Sequence, residues 1–544
     1  MKDEVKAFKA GKHASHPYTF RVPPRSPCFD REAALAELER ERFDLLIVGG
    51  GITGAGLAHR AARASLRVAL VEQNDFASGT SSRSSRLIHG GLRYLKHGHV
   101  RLVHRSLREQ QRLAAAAPHL VRPLSLLLPL YRQSTVQQWA QRGGLALYRV
   151  LQPADSALFH ERLNAGSMLN EEPLLPVAGL QSGFLCREYL THDARLVWET
   201  VLGATVSGAC ALNHVRLLEF MISRGRVVGG VLCDELTGRI LEVHARVLVN
   251  TTGPWSDRLT SAVQTKSRRL RLTKGVHIIL PRRRLPLSAA VIFFSPADKR
   301  PLVAIPTENL VIVGPTETEY EGDPASVRPE REDVEYLLEA LTSFFPDFNV
   351  TCEDVVARAG LRPLYDQSHK PAGEVSRAYH IEWQRDGLLC VLGGKLTLHR
   401  QAAEQALNVL AHRLGSGPSQ PESSVAQKLP GALWTCPPEH VSAKLRETGL
   451  CEDTIAHLLA TYGSRALMFV DLLTEEPFGR ERIAAPLPFI RAEAAFSMRY
   501  EMAACAEDFA ERRTDLALRA RVEGISLGLD DVWRAARERP VAYV

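Results

Sequence analysis

Apolar and polar positions along the chain predict an α/β protein whose main fold begins near residue 43. The segment FDLLIVGGG contains the apolar run LLIV and ends in glycine, which predicts a buried strand. Helical spacing follows in ITGAGLAHRAARAS, and a second apolar run follows in RVALVE. The three segments together predict a βαβ unit of about 30 residues.

Further apolar runs downstream alternate with helical patterns. The strand-like runs are Ala245–Asn250, Val276–Pro281, Leu302–Pro306, Leu310–Gly314 and Leu388–Gly394. A helical pattern, REDVEYLLEALTSFF, lies among them at Arg331–Phe345. This alternation predicts a second sheet inserted between the first βαβ unit and the last strand.

The two ends of the chain differ from this middle part. Residues 1–42 predict a basic N-terminal arm and a short helix, for which Asp30 is the candidate N-cap. After about Ser424 the strand signals fade. Residues 425–544 therefore predict a helical C-terminal domain.

Length and composition exclude several classes of protein. The 544 residues predict two or three domains, and 45% hydrophobic with 24% charged residues is ordinary for a globular protein. A net charge of +7 does not by itself indicate a polyanion partner. The nine cysteines form no CxxC pair, which predicts reduced thiols in the cytosol and no metal site. No charge-free apolar run reaches the length of about 18 residues that a membrane span needs.

A dinucleotide fingerprint follows the first strand. Gly49, Gly51 and Gly54 form GxGxxG between a predicted strand and a predicted helix. Glu72 ends the next strand, where a carboxylate can accept hydrogen bonds from ribose hydroxyls. The N-terminus of the helix favours the pyrophosphate. The pattern predicts a dinucleotide site without separating FAD from NAD.

Several spaced motifs make the family recognisable. VGGGITGAG, VEQNDFASGTSSRSSRLIHGGLRYL, VNTTGPW, GLRPL and GGKLTLHR, in this order, strongly resemble the FAD-dependent (aerobic, quinone-linked) glycerol-3-phosphate dehydrogenases. The resemblance runs from about residue 42 to the C-terminus. It implies a Rossmann-like FAD-binding domain of the glutathione-reductase type, a substrate domain like that of D-amino-acid oxidase, and a helical C-terminal cap. The FAD part is expected at about 43–125, 185–260 and 355–415, and the substrate sheet at about 126–184 and 261–354.

The resemblance also assigns residues to FAD. The TSS segment would bind the pyrophosphate, SRLIHGG would run beside the flavin ring, and GGKLT would close the site near the flavin pyrimidine edge. The expected FAD-binding residues are Gly49, Gly51, Gly54, Glu72, Thr80, Ser81, Ser82, Ser85, His89, Gly90, Gly91, Thr252, Gly253, Gly394, Lys395, Leu396 and Thr397.

For the substrate, the family uses cationic side chains to bind a phosphate dianion, which suits guanidinium groups. The matching residues are Arg93, Tyr94, Arg362, Arg377 and Lys395. The implied reaction oxidises sn-glycerol 3-phosphate to dihydroxyacetone phosphate, with hydride transfer from C2 to FAD N5.

His277, Arg362 and Lys395 form the expected catalytic set, in which His277 takes the hydroxyl proton because imidazole titrates near working pH. The alternative for His277 is an ordinary strand histidine. His89 is a second candidate base, better explained as a contact beside the flavin.

Three departures from the family pattern bear on the substrate. GPTE at Gly314–Glu317 stands where GTTD is common, so that Pro315 replaces a threonine. GGKLTLHR has Leu398 and His399 where Thr and Tyr are typical, and His192 stands where an acid is common. We expect these changes to cluster on the substrate side and to leave the FAD motifs intact.

The resemblance extends to partners and location. It implies electron transfer to a membrane quinone and peripheral contact of a cytoplasmic protein with an anionic inner membrane, with a homodimer as a further possibility. The run RPLSLLLPLYR predicts either an interfacial segment or a buried strand. No EF-hand loop is present near the C-terminus, which is typical of bacterial members.

Two other functions stay open on the sequence. One is a related FAD-dependent oxidase that uses oxygen or acts on another hydroxy or amino acid. The distant one is a non-catalytic nucleic-acid-binding or lipid-binding protein with a vestigial FAD fold. Its only support is the basic run at Thr80–Arg108, with seven Lys or Arg and four His. We expect no nucleic acid partner, because most of that run falls within the FAD and substrate motifs.

Overall fold

The chain folds into two β-sheets and a set of helices. The computed structural model describes residues 28–91, 100–132, 143, 151, 161–261, 263, 269–365, 375, 377–415 and 427–537. The strands in this part of the chain are β1 (Arg42–Val48), β2 (Val68–Val71), β3 (Leu87–Ile88), β4 (Arg122–Tyr131), β5 (Glu161–Asn164), β6 (Leu180–Leu190), β7 (Cys210–Leu212), β8 (Val215–Ser223), β9 (Arg226–Asp234), β10 (Ile240–Asn250), β11 (Leu270–Pro281), β12 (Ala290–Phe294), β13 (Pro301–Pro306), β14 (Leu310–Gly314), β15 (Thr318–Tyr320), β16 (Val356–Tyr365), β17 (Tyr379–Arg385) and β18 (Leu388–Gly393).

The helices flank these sheets and then continue beyond them. They are α1 (Arg31–Arg40), α2 (Ile52–Arg63), α3 (Val100–Ala116), α4 (Ala165–Glu171), α5 (Asp193–Val206), α6 (Ser256–Ser261), α7 (Arg331–Phe344), α8 (His399–Leu414), α9 (Pro438–Glu447), α10 (Glu452–Tyr462), α11 (Met468–Glu475), α12 (Ala492–Tyr500), α13 (Ala506–Asp508), α14 (Leu516–Glu523) and α15 (Leu529–Arg537). The predicted helix before the main fold is confirmed as α1, since the Asp30 side chain accepts a hydrogen bond from the amide of Ala33 at 3.0 Å.

The first sheet contains the predicted βαβ unit. Its main strand order is β17-β18-β10-β1-β2-β7, and β1 pairs in parallel with both β10 and β2. Leu45 and Ile47 pack in the core that includes α2. Leu46 faces the other side, where Leu35 of α1 packs. Because both faces of β1 are buried from Leu45 to Val48, the sequence of this part of the strand is an unbroken apolar run.

The second sheet is mostly antiparallel. Its main order is β15-β11-β14-β13-β12-β4-β6-β3, with β16 added beside β11 and β5 beside β6. Helix α7 covers one face, where Leu337 and Leu341 share a core with Val276 of β11 and Val313 of β14. This sheet therefore has its own hydrophobic core, separate from that of the first sheet.

The apolar run RPLSLLLPLY forms β4, inside the second sheet. It pairs with β6 from Arg122 to Tyr131, and Leu127 and Leu130 are buried. The buried-strand alternative is therefore confirmed. The interfacial alternative is wrong, because the apolar side chains of this run are used in the protein core.

The chain passes from one sheet to the other at residues that differ from the expected boundaries. β3 and β16 belong to the second sheet, although residues 87–88 and 356–365 fall within the expected FAD part. The reason is strand pairing, since β16 pairs with β11 along its whole length, from Val356 to Tyr365. After β16 the chain returns to the first sheet only with β17 and β18.

From residue 430 to residue 537 the chain forms helices and turns, with one isolated β-bridge between Arg482 and Ile490. None of the helices in the described ranges is long and apolar enough to cross a membrane.

Buried ion pairs dock this helical region on the first sheet. Asp75, in the loop after β2, accepts hydrogen bonds from Nη1 and Nη2 of Arg513 at 2.7 and 2.8 Å. Arg512 Nε donates to the same carboxylate at 2.6 Å. Arg195 of α5 donates to Glu501 through both Nη atoms, at 2.6 and 3.0 Å. Buried charges of this kind are tolerated because each is paired and hydrogen-bonded.

We predict that Arg513→Leu destabilises the protein strongly. The substitution removes two of the hydrogen bonds to buried Asp75, and breaking a buried ion pair costs about 3 to 5 kcal/mol. Denaturant unfolding can be followed by tryptophan fluorescence, since the Arg513 guanidinium lies 4.7 Å from the ring centroid of Trp198.

The matched control for this prediction is Arg446→Leu. Arg446 pairs with Glu452 on the surface, where both side chains are exposed, so its loss is expected to change the unfolding midpoint little. Equal destabilisation by the two substitutions would contradict the role given to Arg513.

Candidate functional site

A cavity of about 550 Å³ lies beside the carboxyl ends of β1 and β10. Its walls come from the turn after β1, the loop after β2, the 3₁₀ turn Thr80–Ser82, strand β8 and the segment after β18. Open sheets with parallel strands bind ligands at this edge. The cavity thus lies where the glycine motif predicts a dinucleotide.

The glycine turn is closed by contacts that leave no room for side chains. A Cβ on Gly54 would overlap the carbonyl oxygen of Gly49 and would lie 2.7 Å from Thr251 Oγ1. Gly49 has φ +111°, a conformation that favours glycine. The Thr251 hydroxyl is 2.9 Å from the carbonyl oxygens of both Val48 and Gly49, so one side chain ties the ends of β1 and β10 together.

The N-terminus of α2 faces the cavity, which Ile52 lines. The amide of Ile52 donates to Ser81 Oγ at 3.0 Å. Glu72 Oε2 accepts from the amide of Gly50 at 2.7 Å, and its Oε1 accepts from the amide of Asn74 at 3.1 Å. Desolvation by burial raises the pKa of Glu72. The region combines helix amide groups with a fixed carboxylate, which suits a pyrophosphate next to a ribose.

The structure places most residues predicted for FAD at this cavity. Those that line it are Gly49, Gly51, Glu72, Thr80, Ser81, Thr252, Gly253, Gly394, Lys395 and Leu396. Seven more predicted residues, all within the described ranges, lie outside the lining: Gly54, Ser82, Ser85, His89, Gly90, Gly91 and Thr397. Gly54 acts within the turn, and the Gly90 amide donates to Glu188 at 3.4 Å.

The residues of this cavity fit FAD. Its volume lies within the range of about 300 to 1,000 Å³ found for ligand pockets. A Cβ on Gly51 would lie 3.1 Å from Ser81 Oγ, and one on Gly79 would lie 3.1 Å from the Trp255 ring, so the glycines keep the cavity open. The α2 amide groups would hold the pyrophosphate, and Glu72 would hold ribose hydroxyls.

The candidate base and the candidate phosphate ligand share one face of the β11–β16 pair. Thr273 lies opposite Arg362, Gly275 opposite Gly360 and His277 opposite Arg358. Alternate residues of a strand point to the same face. A Cβ on Gly275 would overlap the Arg362 guanidinium, so this glycine makes room for the arginine to extend along the strand towards His277.

His277 is buried and neutral. Burial, followed by the positive charges of Arg362 and Arg358, lowers the pKa of His277 to about 3. The ring therefore does not titrate near working pH as the sequence argument assumed, although it is in the unprotonated state that a base requires. Ser85 Oγ lies 2.8 Å from His277 Nε2 and orients the ring.

The GPTE segment contacts two of the three arginines expected to bind the substrate. The carbonyl oxygen of Thr316 accepts from Nη1 and Nη2 of Arg362, both at 3.3 Å. Glu317 accepts from Arg377 and from Arg300. Lys395 lines the cavity. Arg93 and Tyr94, which the resemblance assigns to the substrate, lie outside the described residues.

Only one of the three departures lies beside these arginines. Leu398 is buried, and the His399 ring packs against Gly56 of α2, since a Cβ on Gly56 would lie 2.7 Å from it. His192 caps α5 by accepting from the amide of Arg195 at 3.2 Å. The expectation that all the departures cluster on the substrate side is therefore wrong, because two of them belong to helix packing and helix capping.

Some residues of the site were not predicted from the sequence, because their roles depend on close approach between groups that are distant in the chain. Gly275 and Trp255 were not singled out, and neither was Thr316 as a partner of Arg362. A glycine inside a strand pattern signals close approach of another group, so KGVHIILP did contain the signal for Gly275. The ring of Trp255 beside Gly79 had no comparable signal, because the two residues are distant in sequence.

Comparisons with known proteins agree with this geometry. Residues 44–410 match the family model "FAD dependent oxidoreductase", and residues 424–527 match "C-terminal domain of alpha-glycerophosphate oxidase". Aerobic glycerol-3-phosphate dehydrogenase of Bacillus subtilis is 36% identical over 504 residues, covering 89% of each chain. The protein of the same name from Staphylococcus saprophyticus is 35% identical over 496 residues, covering 89% of this chain and 88% of that one.

A solved structure is also similar. It is the glycerol-3-phosphate dehydrogenase from Bacillus halodurans complexed with FAD, which superposes with a TM-score of 0.73 at 31% identity and covers 93% of this chain and 96% of that chain. The L-alpha-glycerophosphate oxidase from Mycoplasma pneumoniae, at 16% identity and a TM-score of 0.56, shares the fold.

We predict that Gly54→Ala loses FAD. The added methyl group would overlap the Gly49 carbonyl oxygen, and overpacking of about 1 to 3 kcal/mol corresponds to an affinity about five- to 150-fold weaker. The measurement is flavin absorbance per mole of purified protein. Gly143→Ala is the control, because none of the described residues lies within 4 Å of a Cβ there. Full flavin content in Gly54→Ala would contradict the turn as described.

We predict that His277 makes the protein less stable in acid. Between its ordinary pKa of 6.5 and its folded pKa of about 3, the unfolded chain binds a proton that the folded ring does not. Stability therefore falls with falling pH, by up to about 1.4 kcal/mol per pH unit. Denaturant midpoints at pH 7, 6 and 5 should fall less steeply for His277→Asn than for the unmodified protein. An equal fall of the denaturant midpoint with pH in the two proteins would contradict this interpretation.

Proposed function

Because the chain belongs to the FAD-dependent glycerol-3-phosphate dehydrogenase family, we propose that it oxidises sn-glycerol 3-phosphate to dihydroxyacetone phosphate. The observation that supports the proposal is that His277 and Arg362 share one face of the β11–β16 pair, and that Pro363, the neighbour of Arg362, lines the cavity. The Thr80 hydroxyl, at the cavity wall, donates to the carbonyl oxygen of Leu361 at 2.7 Å. The residue that follows Leu361 is the phosphate candidate, so the cofactor turn and the substrate strand are in direct contact.

In this proposal the protein positions the substrate and moves one proton. FAD supplies the acceptor for the hydride that leaves C2. Arg362 and Lys395 bind the phosphate dianion, which fixes the position of the C2 hydroxyl. Neutral His277 takes the hydroxyl proton. A phosphate beside Arg362 offsets the positive charge that lowers the His277 pKa, so substrate binding itself strengthens the base.

The proposed electron acceptor is a membrane quinone, with peripheral contact between the protein and an anionic membrane. The exposed face of α3 supports the membrane contact, since Arg101, His104, Arg105 and Arg108 are all accessible to solvent. A basic helix face of this kind is attracted to anionic lipid. The homodimer remains a prediction.

The test of the substrate is anaerobic mixing of the FAD-loaded protein with glycerol 3-phosphate. We expect bleaching of the flavin absorbance in the unmodified protein. In Arg362→Leu we expect retained FAD and a bleaching rate about ten- to a hundredfold lower at a given substrate concentration, since hydrogen bonds to charged groups contribute about 1.5 to 3 kcal/mol.

The matched control is Arg331→Leu, which removes an exposed arginine of α7 and should bleach normally. Absence of bleaching in the unmodified protein would overturn the substrate assignment and leave FAD binding intact. Reoxidation by a soluble quinone without peroxide would support the quinone acceptor, whereas stoichiometric peroxide would identify an oxidase.

A further inference from the structure

A second pocket, of about 110 Å³, lies between the sheets and the helical C-terminal region. Thr191 and His192 form one wall at the N-terminus of α5. Thr514 and Asp515 belong to the helical region and form another wall. The pocket shares no lining residue with the FAD cavity. It therefore needs its own explanation.

Four side chains that line this pocket carry buried polar atoms with no hydrogen-bond partner among the described residues. These atoms are Thr191 Oγ1, His192 Nε2, Arg195 Nε and both ring nitrogens of His119. Thr191 is 3% exposed and Arg195 is 0% exposed. An unsatisfied buried polar group costs about 1 to 3 kcal/mol, so four on one small pocket indicate that a ligand belongs there.

The chemistry of these atoms is that of hydrogen-bond donors. His192 Nδ1 accepts from the amide of Arg195 at 3.2 Å, so its ring proton is on Nε2. Arg195 Nε can only donate, and the Thr191 hydroxyl can donate. Burial, followed by neighbouring arginines, lowers the pKa of His119 to about 3, and burial lowers that of His192, so each ring is neutral and carries one N–H.

The charges around the pocket are close to balanced. Arg195 is matched by Glu501. Asp515 accepts from Arg86 at 3.3 Å and from Arg519 at 2.7 Å. Preference for an anion therefore comes from the unpaired donors in the pocket lining and from the N-terminal end of α5, where the helix dipole favours negative charge, rather than from excess positive charge.

The size of the pocket and the access to it limit which ligands can bind. A volume of about 110 Å³ holds a small ion and is too small for a nucleotide or a flavin. A single water makes about three hydrogen bonds and cannot accept from four donors, whereas a tetrahedral oxyanion offers four oxygen atoms. An outer cleft shares His119, Arg122 and Arg519 with the pocket and provides the entry path.

We propose that this pocket is a second anion site, which binds a small inorganic oxyanion such as phosphate or sulfate between α5 and the helical C-terminal region. The site is independent of the substrate chemistry. Its occupant would bind the donors of Thr191, His192 and Arg195 and would lie against Thr514 and Asp515 of the helical region. The Nη atoms of Arg195 already bind Glu501 of that region. Binding therefore stabilises the docked arrangement.

The test is calorimetric titration of the FAD-loaded full chain with sulfate at constant ionic strength, together with unfolding temperature. Thr191→Val keeps the shape of the side chain and removes one donor. His192→Asn keeps an N-cap side chain and withdraws the imidazole N–H. We expect sulfate affinity about tenfold weaker in each variant and a smaller rise in unfolding temperature with sulfate.

Two controls separate this site from other effects of sulfate. Thr200→Val, on the same helix, removes a buried hydroxyl that donates to Leu196 at 2.7 Å and should leave sulfate binding unchanged. Arg362→Leu should also keep the site, since that arginine belongs to the substrate region. Absence of saturable binding in Arg362→Leu, or equal sulfate affinity in Thr191→Val, His192→Asn and the unmodified protein, would overturn the proposal.

Discussion

Close backbone packing between the end of β1 and the start of α2 is the constraint on which the cofactor cavity depends. Gly54 touches the Gly49 carbonyl, and the Thr251 hydroxyl joins that turn to the end of β10. These contacts fix the direction of α2, and the α2 direction fixes where its free amide groups point. Ser81 and Glu72 then bind amides of the same turn. The phosphate and ribose ends of the cavity are consequences of one packing arrangement.

In the second sheet, too, a glycine allows another group to approach the backbone closely. Because Gly275 has no side chain, the Arg362 guanidinium can lie over β11. The carbonyl oxygen of Thr316, in the neighbouring segment, accepts a hydrogen bond from that guanidinium. The cost is a base whose pKa is lowered by burial and by that arginine. A dianion bound beside Arg362 would offset the charge of that arginine and would raise the pKa of His277.

Much of the fold and of the cofactor site was predictable from the sequence, because both depend on local patterns. The strand, glycine turn and helix at residues 43–63 lie next to one another in the chain, and the family motifs placed Thr252 and Lys395 at the same cavity. Sheet membership of β16 was not predictable, because it depends on pairing with a strand far away in sequence. The partners of Glu317 and the location of His399 also depend on packing, which a single sequence does not reveal.

The position of Asp75 links cofactor binding to the C-terminal helices. Asp75 lies three residues after Glu72 on one loop, and Arg512 and Arg513 hold it from the far end of the chain. The loop that carries Glu72, the carboxylate expected to bind a ribose, is therefore ordered partly by residues more than 400 positions away. The cofactor cavity and the docking of the helical region therefore depend on the same loop. In a nascent chain this loop could make these contacts only after residues 512 and 513 have been made.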